Sequence, residues 1–402
     1  MIQYSSHPMP HDFDVLIIGG FGHVGLPLGI VLADAGFTVA LQDINQKIRP
    51  MIEAGQMPFM EHDAEPLLKK VIGKNLRCST DIADIARAKT IVITIGTPVD
   101  EYLSPKTRPL FALADAMLPH LRDDHCLILR STVYPGTTLA LKRYLQQRGK
   151  QPHIANCPER IVQGFAIREL RELPQVIAGF SPEATACARG LFGKLGVETI
   201  EVEVEEAELT KLFLNAWRYM QFAAANQFYM IAAERGLDYD RVYRAMTHNY
   251  KRAKDLPRPG FAAGPCLFKD TMQLAAANRN QFLLGHAAMM VNEGLPAFLV
   301  TLLKQRGTMF AGTTVGVLGM AFKADIDDPR EALSYKLVKL LRFEGAEVLC
   351  SDEYIRDPTF VSKEDLIKRA EVIVVGVPHS TYRSLVLPEG KVVVDLWNTF
   401  RS

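Results

Sequence analysis

A cysteine, a lysine and an aspartate lie within five residues of one another in a segment rich in glycine and proline. The segment runs from Pro259 to Asp270 and contains Cys266, Lys269 and Asp270. A thiolate is a strong nucleophile towards carbonyl carbon, and a neighbouring cation helps it to form. A Gly/Pro loop is a poor place to pack a core cysteine, so the pattern indicates that Cys266 attacks an aldehyde covalently.

A second chemical signal lies near the start of the chain. The apolar run Val15–Ile18 is followed by Gly20-Phe21-Gly22-His23-Val24-Gly25, and a helix is predicted from Leu26 to Gly36. The next predicted strand ends at Asp43, 18 positions after the last of these glycines. A strand, a glycine turn, a helix and a later acidic residue are what dinucleotide binding requires.

Each of these residues has a physical role in that interpretation. Gly20 allows the tight turn, Gly22 lets the backbone approach a pyrophosphate, and Gly25 allows the helix to pack closely on the strand. Asp43 would accept hydrogen bonds from the adenosine ribose, and its charge would repel a 2′-phosphate. We therefore predict NAD as the cofactor, against the alternative of an ordinary strand–turn–helix that contains glycines.

The elements that must position these residues follow from the apolar pattern. The second strand is predicted at 37–42, and further parallel strands at 90–95, 126–129, 153–156 and 175–178. A long helix is predicted over 205–235, with an apolar stripe, and a second helical stretch over 271–304. Short apolar runs return at 314–318, 347–349, 372–375 and 392–396. The chain is thus predicted to be α/β, with doubly wound sheets on either side of long helices.

Composition excludes several classes of protein. The chain has 402 residues, 48 % apolar and 23 % charged, and its net charge is +1. We therefore expect no nucleic-acid partner and no membrane-surface binding. We find no apolar run of membrane-spanning length in the sequence and no secretory signal at its start, so a cytoplasmic protein is expected.

The six cysteines show no metal-binding spacing, and no metal is predicted. Apart from Cys266, they are expected to be reduced thiols. Cys126, Cys187 and Cys350 lie in or beside apolar segments and are interpreted as small core residues.

Several motifs, in order along the chain, resemble the UDP-glucose/GDP-mannose dehydrogenase superfamily. They are Gly20–Leu28, Gly96–Pro98, Arg130–Thr137, Pro158–Val162, Glu208–Lys211 with Asn215, Gly264–Asp270, Gly319–Lys323 and Asp328–Glu331. The resemblance implies two Rossmann-like doubly wound domains joined by a central region of long helices. It also implies an NAD domain over 1–204, a helical dimerisation region over 205–305 and a nucleotide-sugar domain over 306–402, hence a homodimer.

The resemblance further implies a reaction. A sugar C6 alcohol is oxidised to a carboxylate with two NAD, and Cys266 holds the intermediate aldehyde as a thiohemiacetal and then as a thioester. Lys211 and Asn215, four apart on the long helix, resemble the pair that holds oxyanions, although a lone Lys usually lies on a solvated helix face. Asp270 resembles the aspartate that moves protons and positions water. Alternatively, it is a negative charge near a helix N-terminus, which the helix dipole favours, and both interpretations can hold together.

Two residues resemble groups that act on water. Glu159 matches a glutamate that helps to hydrolyse the thioester, and Thr132 a threonine that orders water at C6. Some members have a second glutamate where this chain has Gln163, and glutamine cannot act as a base. Lys269 is equally consistent with solvent exposure, an ion pair or substrate contact. Phe268 replaces a proline that is common after the cysteine.

The binding residues implied by the resemblance form two sets. The cofactor set is Gly20, Gly22, His23, Val24, Gly25, Asp43, Thr97, Pro98, Thr132 and Arg330. The substrate set is Glu159, Arg160, Ile161, Val162, Lys211, Asn215, Arg258, Phe261, Gly264 and Lys323. In this set Arg258 would reach the substrate of the neighbouring subunit, with Arg252 and Lys254 as rival cations.

Short strings at 158–162 and 395–398 favour a UDP-N-acetylhexosamine as the substrate, oxidised to a UDP-uronic acid of the kind used for bacterial surface polysaccharide. UDP-glucose 6-dehydrogenase with the same mechanism is the alternative. A two-electron hydroxyacid-type dehydrogenase would not need Cys266 or the third domain. A catalytically silent nucleotide-sugar binding protein would not need Lys211, Asn215, Cys266 and Asp270 together.

Overall fold

The structure is a computed structural model that describes residues 11–100, 105–262 and 264–400. The chain divides into two compact units, with the division between Leu212 and Phe213. The predicted α/β class is confirmed in both units, because each contains a sheet of mostly or entirely parallel strands covered by helices.

The first unit is built around one sheet. Its described strands are β1 (Phe13–Ile18), β2 (Val39–Gln42), β3 (Leu76–Ser79), β4 (Ala88–Ile93), β5 (Cys126–Leu129), β6 (His153–Asn156), β7 (Gln175–Gly179) and β8 (Thr199–Glu201). They lie side by side in the order β3-β2-β1-β4-β5-β6-β7-β8. The order reverses beside β1, and such a switch point is where doubly wound sheets bind dinucleotides.

Helices connect these strands. They are α1 (Gly25–Asp34), α2 (Arg49–Glu53), α3 (Ala64–Val71), α4 (Arg108–Met117), α5 (Thr137–Gln146), α6 (Ala166–Glu172) and α7 (Pro182–Gly193), with a 3-10 helix at Ile82–Arg87. Alternate residues of β1 enter two different cores: Val15 and Ile17 pack with α1, and Leu16 and Ile18 pack with residues of β4 and β5. This two-sided burial explains the continuous apolar run in the sequence.

One predicted strand direction is wrong. The run at 175–178 was expected to be parallel, but β7 pairs antiparallel with β6, joining Ala155 to Gly179 and Asn156 to Ala178. An apolar run shows that a strand is buried and contains no signal for its direction. The short strands β3 and β8 were not predicted, since their outward residues break the apolar runs.

The expectation of reduced thiols is wrong for two cysteines, although Cys126 is a buried core residue and Cys187 packs against the same core, as interpreted. Cys126 of β5 and Cys187 of α7 are joined in a disulfide, with their Cα atoms 6.6 Å apart. They are 61 positions apart in sequence. Only the packing of α7 against β5 brings them together, and no local pattern records that packing. Cys78, Cys157, Cys266 and Cys350 lie outside this disulfide.

The second unit begins inside a long helix. Helix α8 (Val204–Glu234) confirms the helix predicted over 205–235 and contains the division between the units. The helices that follow are α9 (Tyr239–Thr247), α10 (Leu267–Ala277), α11 (Leu283–Gln305), α12 (Leu333–Phe343) and α13 (Lys363–Arg369), with 3-10 helices at Lys251–Ala253 and Ser380–Ser384.

The sheet of the second unit is entirely parallel. Its strands are β9 (Thr314–Leu318), β10 (Glu347–Ser351), β11 (Val372–Val375) and β12 (Val392–Val394), in the order β10-β9-β11-β12. The four strands predicted near these positions are therefore confirmed. Leu337 and Leu341 of α12 pack with Val315 and Val317 of β9 in the core of this unit.

The single helical stretch predicted over 271–304 is wrong, because it is two helices, α10 and α11. Between them Arg279 and Asn280 have left-handed backbone, with φ of 53° and 57°. Left-handed residues end a right-handed helix, and asparagine adopts this conformation more easily than most residues.

Helix α11 is long and apolar enough to cross a membrane by length and composition. Its Leu295, Leu299 and Leu303 are buried in the core of the second unit. A core helix passes the same test of length and composition, so this helix is weak evidence for a membrane span.

Two buried asparagines hold the segment that leads to Cys266. Asn226 of α8 donates to the Gly260 carbonyl at 3.0 Å and accepts from the Gly260 N–H at 2.7 Å. It also donates to Asn292 of α11, which in turn donates to the Tyr219 carbonyl. Both asparagines have no exposed surface. Both backbone groups of Gly260 are therefore satisfied by Asn226 of α8, which Asn292 of α11 in turn holds in place.

Candidate active site

Five parallel strands of the first unit bring the predicted cofactor residues to one edge of the sheet. The glycine turn follows β1, Asp43 follows β2, Thr97 follows β4, Thr132 follows β5 and Glu159 follows β6. The carboxyl ends of parallel strands lie on the same edge, which is where doubly wound sheets bind their ligands.

The glycine turn has the shape that a dinucleotide needs. A Cβ on Gly20 would lie 2.8 Å from Leu41, and a Cβ on Gly25 would collide with the Gly19 carbonyl oxygen. A Cβ on Gly22 would meet only that oxygen, at 3.5 Å. Gly20 and Gly25 are therefore required by the fold itself, whereas the space above Gly22 is open for a pyrophosphate.

Asp43 is already tied to this turn. Its carboxylate accepts from the Phe21 N–H at 3.0 Å and from the Asn45 N–H at 2.9 Å. A carboxylate has about four acceptor positions, so roughly two remain for the hydroxyls of a ribose. The turn and Asp43 together fit NAD.

Other predicted cofactor residues lie at the same edge. Val24 is the N-cap residue of α1, and the His23 ring lies 4.0 Å from the Phe59 ring. Thr97 donates from its hydroxyl to the Thr132 carbonyl, which joins the loop after β4, where Pro98 also lies, to the loop after β5.

A buried arginine organises the loop after β6. Arg130 has no exposed surface. It donates to Glu159 at 2.9 Å, to the Cys157 carbonyl at 3.1 Å and to Gln175 at 3.0 Å. Its guanidinium also lies over the Phe192 ring, 4.7 Å from the centroid. A buried cation of this kind needs a paired anion, and Glu159 supplies it.

The Glu159 carboxylate has all its acceptor positions used. One oxygen accepts from Arg130 twice, at 2.9 and 2.5 Å, and the other accepts from the Arg160 N–H at 2.7 Å and the Ile161 N–H at 2.9 Å. The next residue, Val162, donates its N–H to Glu169 at 2.6 Å. Burial lowers the pKa of Arg160. Glu159 thus has two donors at each of its oxygens, all from the loop after β6 or from Arg130.

In the second unit, Cys266 lies where a loop becomes a helix. It is the N-cap residue of α10, its side chain is exposed, and its carbonyl accepts from the Asp270 N–H at 2.8 Å. The positive end of a helix dipole favours a thiolate. The position therefore makes Cys266 both accessible and reactive.

The structure brings together two of the predicted site residues, Asp270 and Asn215. Asn215 donates to one oxygen of Asp270 at 2.5 Å, and Lys269 forms an ion pair with the other. Asp270 is 1 % exposed and Asn215 4 %. Of the three possibilities for Lys269, the structure places it in an ion pair. Each oxygen of Asp270 retains an acceptor position for a water or a substrate hydroxyl.

Arg330, predicted as a cofactor residue, lies within electrostatic range of Cys266. The hydrogen bond that Arg330 donates to Asp328 raises the pKa of Arg330, and the negative charge of a Cys266 thiolate raises it further. Arg330 donates to both oxygens of Asp328, at 2.9 and 3.0 Å. A cation here would favour the thiolate, an effect that solvent weakens because the Arg330 side chain is about half exposed.

Two predicted substrate residues have other surroundings. Arg258 pairs with Asp240 at 2.5 Å and lies over the Tyr243 ring. It lines a cavity of about 740 Å³ that contains none of the other predicted site residues. Phe261 is 4 % exposed and packs in the core of the second unit, so only its backbone is available to a ligand.

The remaining predicted substrate residues lie on α8 and in two loops. Lys211 is half-buried on α8, and Lys323 is half-buried in the loop after β9. Gly264 has a φ of 99°, and a Cβ there would lie 2.5 Å from the Phe322 ring. Among the described residues, no group of three His, Cys, Asp or Glu side chains could hold a metal ion.

Arg130 was missed by sequence analysis as a residue of this region. The only available signal was a charged residue directly after the buried strand 126–129. Its partners Glu159 and Gln175 are 29 and 45 positions away, so their proximity follows from the sheet order and not from spacing.

The sequence and the fold match one family throughout. The UDP-glucose/GDP-mannose dehydrogenase family matches with its NAD binding domain at residues 14–195, its central domain at 205–294 and its UDP binding domain at 316–402. The chain belongs to the UDP-glucose/GDP-mannose dehydrogenase family. It is therefore an NAD-dependent nucleotide-sugar dehydrogenase, and the resemblance inferred from the motifs is confirmed.

The chain is similar to three nucleotide-sugar dehydrogenases. A UDP-N-acetyl-D-mannosamine dehydrogenase from Methanocaldococcus jannaschii is 30 % identical over 375 residues, which cover 91 % of this chain and 86 % of that protein. The structure of a UDP-D-ManNAc dehydrogenase from Pyrococcus horikoshii has a TM-score of 0.87 and 25 % identity, covering 96 % of this chain and 99 % of the other. A UDP-glucose dehydrogenase from Pyrobaculum islandicum has a TM-score of 0.87 and 26 % identity, covering 98 % and 96 %.

The open space above Gly22 gives a prediction that separates folding from cofactor binding. We expect Gly22→Ala to change the free energy of unfolding by less than about 0.5 kcal/mol. The same variant should weaken NAD binding by at least about tenfold, since the methyl group occupies pyrophosphate space. Calorimetric titration with NAD and urea unfolding measure the two effects.

Gly25→Ala is the matched comparison, because its methyl group would meet backbone and not ligand space. We expect it to lower the free energy of unfolding by roughly 1–3 kcal/mol. Normal NAD binding by a well-folded Gly22→Ala variant would contradict the assignment of this turn.

Proposed function

We propose that this chain oxidises the C6 alcohol of a UDP-N-acetylhexosamine to the uronic acid in two NAD-dependent steps. The observation that carries the proposal is an exposed Cys266 at the N-terminus of α10. Buried Asp270 lies one helical turn later and is hydrogen-bonded to Asn215 of α8. The two N-acetylmannosamine dehydrogenases that the chain resembles support an N-acetylated sugar.

The covalent chemistry rests on Cys266. In the first oxidation the C6 alcohol loses a proton and a hydride and becomes an aldehyde. The Cys266 thiolate adds to the aldehyde carbon, and protonation of the oxygen gives a thiohemiacetal. Loss of a second hydride and of the hydroxyl proton gives a thioester, which water hydrolyses to a carboxylate and the free thiol. NAD, when bound, accepts the hydride in each oxidation.

Lys211 and Asn215 are proposed to stabilise the oxygen at C6 when it carries negative charge. The Asn215 amide is held by Asp270 at 2.5 Å, so its orientation is fixed before substrate binds. Donors that need no reorganisation are the effective ones for oxyanions. Thr132 keeps its predicted role in ordering water.

Asp270 is the carboxylate that we propose for water activation. Each of its oxygens has one described donor, whereas each oxygen of Glu159 has two. A base needs a lone pair that faces the water it activates. We therefore propose Glu159 as a positioning residue that shapes the loop after β6. In this proposal neither Glu159 nor Gln163, four residues later, acts as the base.

A homodimer is proposed from an apolar face of α8. Leu214, Trp217, Phe228 and Ile231 are 39–56 % exposed and lie within an arc of roughly 100° at helical spacing. A contiguous apolar face of this kind is typical of an interface, and a helix face can pair with its own copy across a two-fold axis.

Three further features of the protein stay predictions. They are the domain limits 1–204, 205–305 and 306–402, the cytoplasmic location, and the reach of Arg258 to a neighbouring subunit. UDP-glucose stays the alternative substrate, which the similarity to the Pyrobaculum islandicum enzyme supports.

Substrate and mechanism are tested together by incubating the protein with NAD and UDP-ManNAc, UDP-GlcNAc, UDP-GalNAc, UDP-glucose or GDP-mannose. We expect two NADH for each carboxylate formed from one N-acetylated UDP sugar, with products identified by mass. Cys266→Ser should lower the rate of uronic acid formation by at least ~10³-fold and leave sugar-nucleotide binding intact. Cys78→Ser, which removes a thiol elsewhere, is the control. One NADH without a carboxylate, or a fully active Cys266→Ser variant, would disprove the thioester route.

The role of Glu159 is tested by Glu159→Gln. The variant leaves the buried charge of Arg130 without its anion, so we expect a loss of roughly 3–5 kcal/mol in the free energy of unfolding. Urea unfolding measures this loss. A variant of normal stability that accumulates the thioester, detected by mass after acid quench, would instead make Glu159 the base.

The dimer is tested by Trp217→Glu, which places a charge in the apolar face without disturbing the core. We expect the wild type to sediment at twice the 44.8 kDa chain mass and the variant at the chain mass. Phe343→Glu, at an 87 % exposed position outside α8, is the control. Wild-type protein that sediments as a monomer would refute the interface.

A further inference from the structure

A buried acid–histidine pair in the second unit lies outside the proposed chemistry. The side chains of Asp352 and His379 have no exposed surface, and His379 Nε2 lies 3.0 Å from an oxygen of Asp352. Asp352 follows β10 and His379 follows β11, the strands on either side of β9. Both therefore face the segment that leaves β9, residues 319–331, which contains Lys323 and Arg330 and which we call the 319–331 loop.

Asp352 holds the start of this loop. One of its oxygens accepts from the Met320 N–H at 2.6 Å and the Ala321 N–H at 3.0 Å. The other accepts from the Tyr354 N–H at 2.8 Å and the Ile355 N–H at 3.0 Å. Burial acts to raise the pKa of Asp352, but these hydrogen bonds and His379 outweigh it and lower the pKa to about 2. The carboxylate is thus ionised at neutral pH, and each of its oxygens accepts at least two hydrogen bonds.

His379 holds the middle of the loop. Its Nδ1 accepts from the Asp325 backbone N–H at 2.9 Å, so the ring proton must be on Nε2, where it is donated to Asp352. Asp325 has left-handed backbone, with a φ of 57°. Its carboxylate accepts from the Ser380 N–H at 2.8 Å and the Ser380 hydroxyl at 3.0 Å. The loop is therefore bound on both sides of Lys323.

The far end of the loop is bound to the segment before Cys266. The Gly264 N–H donates to the Glu331 carbonyl at 3.2 Å, and Gly264 lies against the Phe322 ring. Phe322 donates its N–H to the Asp328 carbonyl at 3.0 Å. A change in the 319–331 loop is therefore transmitted to the backbone two residues before the nucleophile.

We propose that His379, oriented by Asp352, is a positioning residue that sets the 319–331 loop for the nucleotide sugar and fixes the entry to Cys266. The inference rests on the proposed function in one respect, since Lys323 is predicted to bind the nucleotide sugar that is proposed there and Arg330 its NAD. The contacts of the pair go to loop backbone, so its effect on catalysis would be indirect.

Two variants separate the two ring nitrogens. His379→Asn retains an acceptor near the position of Nδ1, and His379→Gln retains a donor near the position of Nε2. Loss of a buried acceptor should raise the KM for the nucleotide sugar by about tenfold or more in His379→Gln. His379→Asn should recover most of this loss. NAD affinity should change much less than the KM in both variants, because Arg330 is the one predicted NAD residue in the 319–331 loop and the others lie in the first unit.

Tyr382→Phe is the matched control. Tyr382 has no exposed surface, its ring lies 5.2 Å from that of His379, and its hydroxyl has no hydrogen-bond partner among the residues that the structure describes. Removing this oxygen leaves every bond of the pair in place, so the KM should stay within about twofold of wild type.

The experiment measures KM and kcat for the active nucleotide sugar, NAD affinity, urea unfolding and the rate at which iodoacetamide alkylates Cys266. A raised KM in His379→Gln, recovery in His379→Asn and an altered alkylation rate support the proposal. Equal KM values in both variants, or a loss of stability alone, overturn it. If wild type oxidises no nucleotide sugar, the proposed function fails, and the positioning role is then judged by UDP binding in calorimetry and by Cys266 alkylation.

Discussion

Buried backbone N–H groups in irregular loops need acceptors, and the loops of the proposed site obtain them from side chains. Asp352 accepts four backbone N–H groups, Glu159 two and Asn226 one. Glu208 does the same for the first turn of α5, with acceptor oxygens 2.6 and 2.8 Å from the N–H groups of Gly136 and Thr138. One or two polar side chains thus determine the backbone shape of each loop, and the packed cores fix the positions of those side chains.

In the proposed function, this arrangement separates residues that contact a ligand from residues that shape the loop around it. Glu159 and Asp270 are both buried carboxylates in family motifs, yet their surroundings differ. Glu159 has four donors and one buried cation, and Asp270 has one donor on each oxygen. A motif alone cannot make that distinction, because the number of donors depends on residues far away in the sequence.

The parts of the fold that the sequence predicted are those with local signals. The buried run of β1, the glycine turn, the unbroken helix α8 and the loop before Cys266 each depend on neighbours within about ten residues. The antiparallel β7, the Cys126–Cys187 disulfide and the Arg130–Glu159 pair depend on contacts across 22 or more residues. The break between α10 and α11 was local, but Arg279 and Asn280 are a weaker stop signal than a glycine.

The four cysteines outside the disulfide differ in burial, and this difference has a consequence under oxidising conditions. Burial raises the pKa of Cys78 and Cys157 to about 12 and that of Cys350 to about 11, so these thiols stay protonated and react slowly with peroxide. Cys266 is exposed at a helix N-terminus, and the nucleophilicity that we propose for it towards an aldehyde would also act on a peroxide. Sulfenic acid would therefore form there first, which makes the enzyme's activity a reporter of oxidant while its fold stays intact.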